Sequence, residues 1–185
     1  MVYDDIIMAV KKLKTHYCED DPFKLCEDPG IKLLYFSFGT VIDAVKGFYL
    51  ENKRIKTITI NSDLPYVVQR FIVAHELGHA ILHRKYGVYA FHEAGLFDES
   101  SRFEKEANMF AAEFLLDDDD VLQSLNEDNT FFTVAANFNI PMELLDFKFR
   151  MMKWKGYKLI EPPVEARSNF LRDIELPYNI DYHIC

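Results

Sequence analysis

The sequence has few cysteines, and none of them forms a CxxC pair. There are three, Cys18, Cys26 and Cys185, and an odd number cannot be fully paired in disulfides within one chain. This usage is typical of free thiols in a reducing compartment. About half of the 185 residues are apolar, including 16 Phe and 10 Tyr. We therefore expect a core large enough to fold as one domain without disulfides.

A secretory signal and long apolar runs are also lacking. The first residues, MVYDDIIMAVKK, carry acids where a signal peptide carries bases. No segment approaches the roughly 20 apolar residues of a membrane-spanning helix. We therefore expect a cytoplasmic chain that does not enter a membrane.

Positive charge is scarce as well. Lys and Arg number 21 against 30 Asp and Glu, and the formal net charge is -9. Phosphate backbones are bound mainly through Lys and Arg. Direct nucleic-acid binding and attraction to an anionic membrane surface are therefore not expected.

The apolar periodicity predicts an α+β fold, in which a small antiparallel or mixed sheet packs on a central helix and further helices follow. Residues 1–155 form the predicted domain, and 156–185 an irregular tail. The acidic run 117–120 is expected to be the solvated start of a short helix. Predicted helices cover 3–16, a short segment from 21, 66–85, 101–116, 133–137 and 142–152, and predicted strands cover 31–38, 47–50 and 57–60.

The central helix contains the sequence FIVAHELGHAILH (71–83), which includes an HExxH motif. His75 and His79 are four residues apart, so both imidazoles lie on one helical face and can bind one zinc ion. Glu76 lies at the side of that face, where it can act as the base that takes a proton from an attacking water molecule. The surrounding side chains are apolar, and burying these polar groups there is costly unless something pairs with them. Gly78 lowers helix propensity, which a close approach by another backbone or a substrate would explain.

A catalytic zinc usually has three protein ligands. His83 continues the series, but it lies about 12 Å along the helix axis from His75, so we expect it to support the site or pack beside it. The helix 101–116 offers Glu106, which lies within the apolar stripe that includes Phe103 and Phe110, whereas Glu104 lies on the opposite side. An inward carboxylate needs a partner, so Glu106 is the predicted third ligand.

These motifs resemble the ImmA/IrrE family of metallopeptidases. AHELGH (74–79), His83 and EANMFAAEFLL (106–116) match the family's two helices, and KTITINSDLPYVVQRF matches its strand, turn and helix entry. The resemblance implies a zincin-like fold, zinc ligands at His75, His79 and Glu106, and Glu76 as general base. Asp117-Asp118 replaces the family's usual Met-Pro, which alters a helix exit and not a ligand.

The resemblance also implies a substrate. Family members act inside bacteria and are linked to cleavage of helix-turn-helix repressors of phages, mobile elements or stress operons. The expected function is therefore a zinc endopeptidase that cleaves a specific protein, with no particular oligomeric state implied. His83, His92, Tyr86 and Tyr89 are candidates, by position, for the group that stabilises the oxyanion.

The alternative is a non-catalytic regulatory module that keeps the fold and binds DNA or protein. Residues 130–152 have the pattern of two short helices joined by a turn, as in a helix-turn-helix motif. The second of these helices offers only Lys148 and Arg150 as cations, beside Glu143 and Asp146, and a recognition helix should be more basic. An intact Glu76 also favours catalysis, and 130–152 can equally be a helical pair that packs on the peptidase core.

Overall fold

The computed structural model describes residues 3–27, 29–41, 44–84, 98–126 and 129–171. Within these ranges the chain forms seven helices and a three-stranded sheet, so the predicted α+β fold is confirmed. The elements are α1 (Tyr3–Tyr17), α2 (Pro22–Glu27), β1 (Ile31–Phe36), β2 (Gly47–Asn52), β3 (Ile55–Asn61), α3 (Tyr66–Leu82), α4 (Asp98–Leu115), α5 (Asp118–Asn126), α6 (Phe131–Asn137) and α7 (Met142–Trp154).

The sheet is mixed, with β3 in the middle. β1 pairs with β3 in parallel, from Ile31 opposite Lys56. β2 pairs with β3 in antiparallel fashion, and Tyr49 lies opposite Ile58. The tight turn between β2 and β3 places Lys53 and Arg54 at positive φ. In the described part of the chain, β1 and β2 are therefore the outer strands of the sheet.

The HExxH helix α3 lies between the sheet and α4, and two glycines allow this close packing. A Cβ on Gly47 in β2 would lie 2.6 Å from Cγ2 of Ile72 in α3. A Cβ on Gly78 would lie 3.2 Å from Cα of Ala107 in α4. Gly78 therefore permits the close backbone approach that its poor helix propensity suggested.

α4 is enclosed by other helices. It packs against α3, α7 and α1, so side chains are buried on several of its faces and not along one apolar stripe. Its apolar residues belong to the main core, with Phe110 and Phe114 almost fully buried. A buried position on this helix can therefore face any of three neighbours.

A second, smaller core joins α5, α6 and α7. Val121, Val134 and Leu145 are completely buried in it. The acidic run 117–120, of which 118–120 lie in the first turn of α5, is not simply solvated, because Asp118 pairs with Lys148 of α7 and with Lys155. This ion cluster attaches the start of α5 to the end of α7.

The described part of the tail has no helix or strand, but it packs against the domain. Ala166 and Phe170 are buried in the main core. The backbone N–H of Ala166 donates to Asp146 of α7 at 2.9 Å. Residues 164–171 thus pack against the helices of the domain.

α4 begins at Asp98, three residues before the start of the helix predicted over 101–116. None of the helices in the described ranges is long and apolar enough to span a membrane.

Candidate metal and catalytic site

His75 and His79 lie one turn apart on the buried face of α3. Their Nε2 atoms are 3.0 Å apart, and both side chains are almost inaccessible to solvent. Burying two polar rings in an apolar helix is costly without partners. The convergence of these two nitrogens is the arrangement that the HExxH spacing predicted.

The carboxylate beside this pair is Glu104, from α4. Its Oε2 lies 3.2 Å from His75 Nε2, and its Oε1 lies 3.3 Å from His79 Nε2. Ligand atoms bonded at about 2.0–2.1 Å to a tetrahedral zinc lie about 3.3–3.4 Å from one another. Each carboxylate oxygen thus lies at nearly this spacing from one of the two histidine nitrogens. Within the described residues, these three side chains form the group suited to a metal ion.

Burial and mutual contact determine the charges of this group. Burial raises the pKa of Glu104, whereas hydrogen bonds from both histidines lower it. The lowering effect is the larger one, so the pKa of Glu104 lies below the usual range. Burial lowers the pKa of His79 to about 4, which keeps its ring neutral at neutral pH. Two imidazoles and one carboxylate are a donor set that suits zinc.

Glu76 is buried beside these groups without belonging to them. Burial raises its pKa to about 7, the Glu104 charge raises it, and His75 and the backbone N–H of Tyr49 in β2 lower it. A carboxyl group with a pKa near the working pH can both take and return a proton.

Glu106, the third ligand predicted from sequence, has a different environment. Its Oε2 lies 3.0 Å from His83 Nε2, and its Oε1 accepts from Arg102 at 3.0 Å. His83 is itself buried, and its Nδ1 lies 3.0 Å from Nδ1 of His79. The structure therefore brings Glu104, not Glu106, to the two histidines, and it places Glu106 behind His83.

The expectation of Glu106 assumed a single buried face on α4. Residues two apart on a helix point about 200° apart, so only one of Glu104 and Glu106 can face α3. Ala107 and Ala111 follow Glu104 by three and seven residues, which places all three on one face. Ala107, a small residue that lies opposite Gly78, was the sequence signal for the face that contacts α3.

Asn108 is a second residue that the sequence analysis missed. It is fully buried four residues after Glu104, and its Nδ2 donates to the Ser168 carbonyl at 2.6 Å. Its Oδ1 and Nδ1 of His75 are both buried without a hydrogen-bond partner in the described part of the chain. Burial lowers the pKa of His75, whereas Glu104, and to a smaller extent Glu76 and Asn108, raise it above the usual value. Asn108 therefore lies close to the ring of His75.

Three of the candidates for the group that stabilises the oxyanion, Tyr86, Tyr89 and His92, lie outside the described residues.

In the possible recognition helix α7, Lys148 is buried and paired with Glu113, and Arg150 pairs with Asp146. Both cations therefore have acidic partners within the fold, which does not favour the DNA-binding alternative.

The mixed sheet, the buried HExxH helix and a carboxylate from the following helix define a zincin-like architecture. Residues 26–150 match the family described as IrrE N-terminal-like domain, Peptidase_M78. The chain belongs to this family of metallopeptidases, as its resemblance to ImmA/IrrE proteins implied.

Two curated proteins are similar over most of their length. "Uncharacterized immunity region protein 2" of Bacillus phage phi105 is 35% identical over 146 residues, which is 79% of this chain and 90% of that protein. "Metallopeptidase ImmA" of Bacillus subtilis (strain 168) is 32% identical over 138 residues, which is 74% of this chain and 78% of that protein.

Proposed function

We propose that the chain is a zinc-dependent endopeptidase in which His75, His79 and Glu104 hold the metal and Glu76 is the general base. The observation that carries this proposal is the convergence of the three side chains. The two histidine Nε2 atoms are 3.0 Å apart, and Glu104 places Oε2 3.2 Å from His75 Nε2 and Oε1 3.3 Å from His79 Nε2. Glu104 takes the role that the sequence analysis gave to Glu106, because Glu106 lies against His83 and Arg102.

A zinc ion at this position supplies Lewis acidity toward a water molecule and a peptide carbonyl. Glu76 accepts the proton of the attacking water and returns it to the departing amine. Its burial supports this role, since a pKa of about 7 makes the carboxylate a stronger base than an exposed glutamate. The low exposure of His75 and His79 limits competing water around the ligands.

Strand β2 is suited to hold the substrate. Among the described residues it is an outer strand of the sheet, and it runs beside α3 from Gly47, next to Ile72, to Tyr49, next to Glu76. An extended peptide that adds to a sheet edge is bound mainly through its backbone. A chain laid along β2 would pass Glu76 in its interior, which supports cleavage within a chain and not at its end.

The proposed substrate is a cytoplasmic helix-turn-helix repressor encoded near this chain. The relative named for a phage immunity region and the relative named as the metallopeptidase ImmA support a regulatory role of this kind. The charge of -9 also favours encounter with a DNA-binding partner, which carries basic surface.

The test is to co-express the chain with a repressor encoded beside it and to search for a discrete fragment by mass spectrometry. We expect one main cleavage in the repressor, and none with Glu76→Gln. Cleavage of casein and unrelated peptides with the repressor intact would make the chain a general peptidase. An intact repressor together with intact peptides would support the non-catalytic module.

A further inference from the structure

Behind the candidate zinc ligands, a line of hydrogen-bonded side chains leads from α3 to α4. His79 Nδ1 lies 3.0 Å from His83 Nδ1, and His83 Nε2 lies 3.0 Å from Glu106 Oε2. The other oxygen of Glu106 accepts from Nε of Arg102 at 3.0 Å. Three contacts of this length connect the second candidate ligand to a carboxylate and then to a guanidinium at the surface.

We propose that His83 and Glu106 are positioning residues that hold His79 in the one tautomer able to bind the metal through Nε2. The proposal rests on the zinc site proposed above and adds a role for two residues that do not touch the metal. Metal-binding histidines usually donate their second ring nitrogen to a carboxylate, a carbonyl or water. Here a second imidazole is inserted between the ligand and the carboxylate.

The direction of each hydrogen bond follows from the carboxylate. Ionised Glu106 can only accept, so His83 carries its proton on Nε2. A neutral His83 then presents Nδ1 as an acceptor, and His79 must donate from its own Nδ1. This leaves Nε2 of His79 with a free electron pair, directed toward His75 and Glu104. The reverse direction would put a proton on that nitrogen and block metal binding.

The surroundings of His83 hold its ring in place. The side chain is completely buried, and the ring of Phe103 lies 4.7 Å away from it, between centroids. Placing a charge on a ring buried in this way is costly, and the contact of Glu106 with Arg102 favours an ionised carboxylate. The hydrogen bonds therefore join a neutral ring to an ionised carboxylate.

A matched pair of substitutions at His83 separates hydrogen bonding from packing. In His83→Gln, the amide oxygen can accept from His79 and the amide nitrogen can donate to Glu106, so both functions are kept. In His83→Leu, the volume is roughly kept and both functions are lost. Zinc affinity is measured for each by competition with a chromophoric chelator, and folding of the metal-free variants is checked by circular dichroism.

We expect His83→Leu to weaken zinc binding about 10–100-fold, and His83→Gln to weaken it less than about tenfold. Equal zinc affinities of both variants and the wild type would overturn the positioning role of His83 while leaving the zinc site intact. Equal losses in both variants would also overturn it, because packing alone would then explain the role of His83. A wild-type chain that does not bind zinc would overturn the proposed function itself.

The tautomers provide a readout that does not depend on either variant. Long-range ¹H–¹⁵N spectra of the zinc-loaded wild-type chain distinguish a proton on Nδ1 from one on Nε2. We expect His79 to be protonated at Nδ1 and His83 at Nε2. A His79 ring protonated at Nε2, and so bound to the metal through Nδ1, would overturn the proposal even if both variants misfolded.

Discussion

Gly78 of α3 lies so close to Ala107 of α4 that a Cβ on the glycine would be 3.2 Å from the alanine Cα. The same Cβ would meet Cβ of Phe110 at 3.2 Å. Since α3 carries His75 and His79 and α4 carries Glu104, this contact sets the distance between the two halves of the candidate metal site.

Gly78→Ala tests the importance of this contact. Alanine should stabilise the isolated helix by about 1 kcal/mol. Overpacking typically costs about 1–3 kcal/mol, and here the added methyl group must push the backbone of α4 away at Ala107. We expect a lower free energy of unfolding in urea and weaker zinc binding, because Glu104 moves away from the histidines. A variant that is more stable and binds zinc normally would show that the helices do not meet this closely.

Glu76→Gln tests the separation of binding from catalysis. The substitution removes the proton acceptor and leaves His75, His79 and Glu104 in place. We expect unchanged zinc content and a cleavage rate lower by about 10²–10⁴-fold, the usual contribution of a general base. Asp119→Asn, at an exposed carboxylate of α5, is the control and should cleave normally. Wild-type cleavage by Glu76→Gln would exclude Glu76 as the base.

Lys148→Met tests the ion cluster of α7. Lys148 is only 1% exposed and lies 2.9 Å from Glu113. Removing one partner of a buried pair costs about 3–5 kcal/mol. We expect the free energy of unfolding, measured in urea at pH 7, to fall by less than this, because Lys155 still pairs with Glu113 and Asp118. The exposed Lys12→Met is the matched control, and equal stabilities of the two variants would contradict this account.

The cluster also predicts a pH dependence. Burial raises the pKa of Asp118, but Lys148 and Lys155 lower it more, so it lies below the ordinary value of 3.8. A carboxyl group with a depressed pKa stabilises the fold above its unfolded pKa and stops doing so as the pH falls through its folded pKa. We expect the stability difference between wild type and Lys148→Met to shrink below a pH of about 4. A difference that stays constant down to pH 2 would exclude Asp118 as the partner.

The cysteines should differ in reactivity. Cys18 is exposed, whereas Cys26 is buried and burial raises its thiol pKa to about 12. The thiolate is the reactive form. In a Cys185→Ala chain at neutral pH, we expect rapid labelling of one thiol by a disulfide reagent and labelling of Cys26 only after denaturation. Rapid labelling of both thiols would show that the core around α2 opens readily.

Local patterns predicted much of this molecule. The period of apolar residues in α3, and the alternation in β3, depend on neighbours along the chain. The HExxH spacing places His75 and His79 together by helix geometry alone. These features could be predicted because the backbone period determines them.

The choice between Glu104 and Glu106 depends on which neighbour each face of α4 meets. Because α3, α1 and α7 all pack against α4, burial at a position does not tell which helix is opposite. Asp118 was expected in water for a related reason, since its partners Lys148 and Lys155 are about 30 and 37 residues further along the chain. Contacts at this sequence distance leave no periodic signal.

Zinc affinity of Glu104→Ala and Glu106→Ala, measured side by side with the wild type, tests the central claim most directly. We expect about one zinc per wild-type chain, and a loss well beyond 100-fold in Glu104→Ala because a ligand is removed. The zinc affinity of Glu106→Ala should fall by only about 10–100-fold, since this substitution removes a support for His83 and not a ligand. A severe loss in Glu106→Ala with near wild-type affinity in Glu104→Ala would make Glu106 the ligand and contradict the site described.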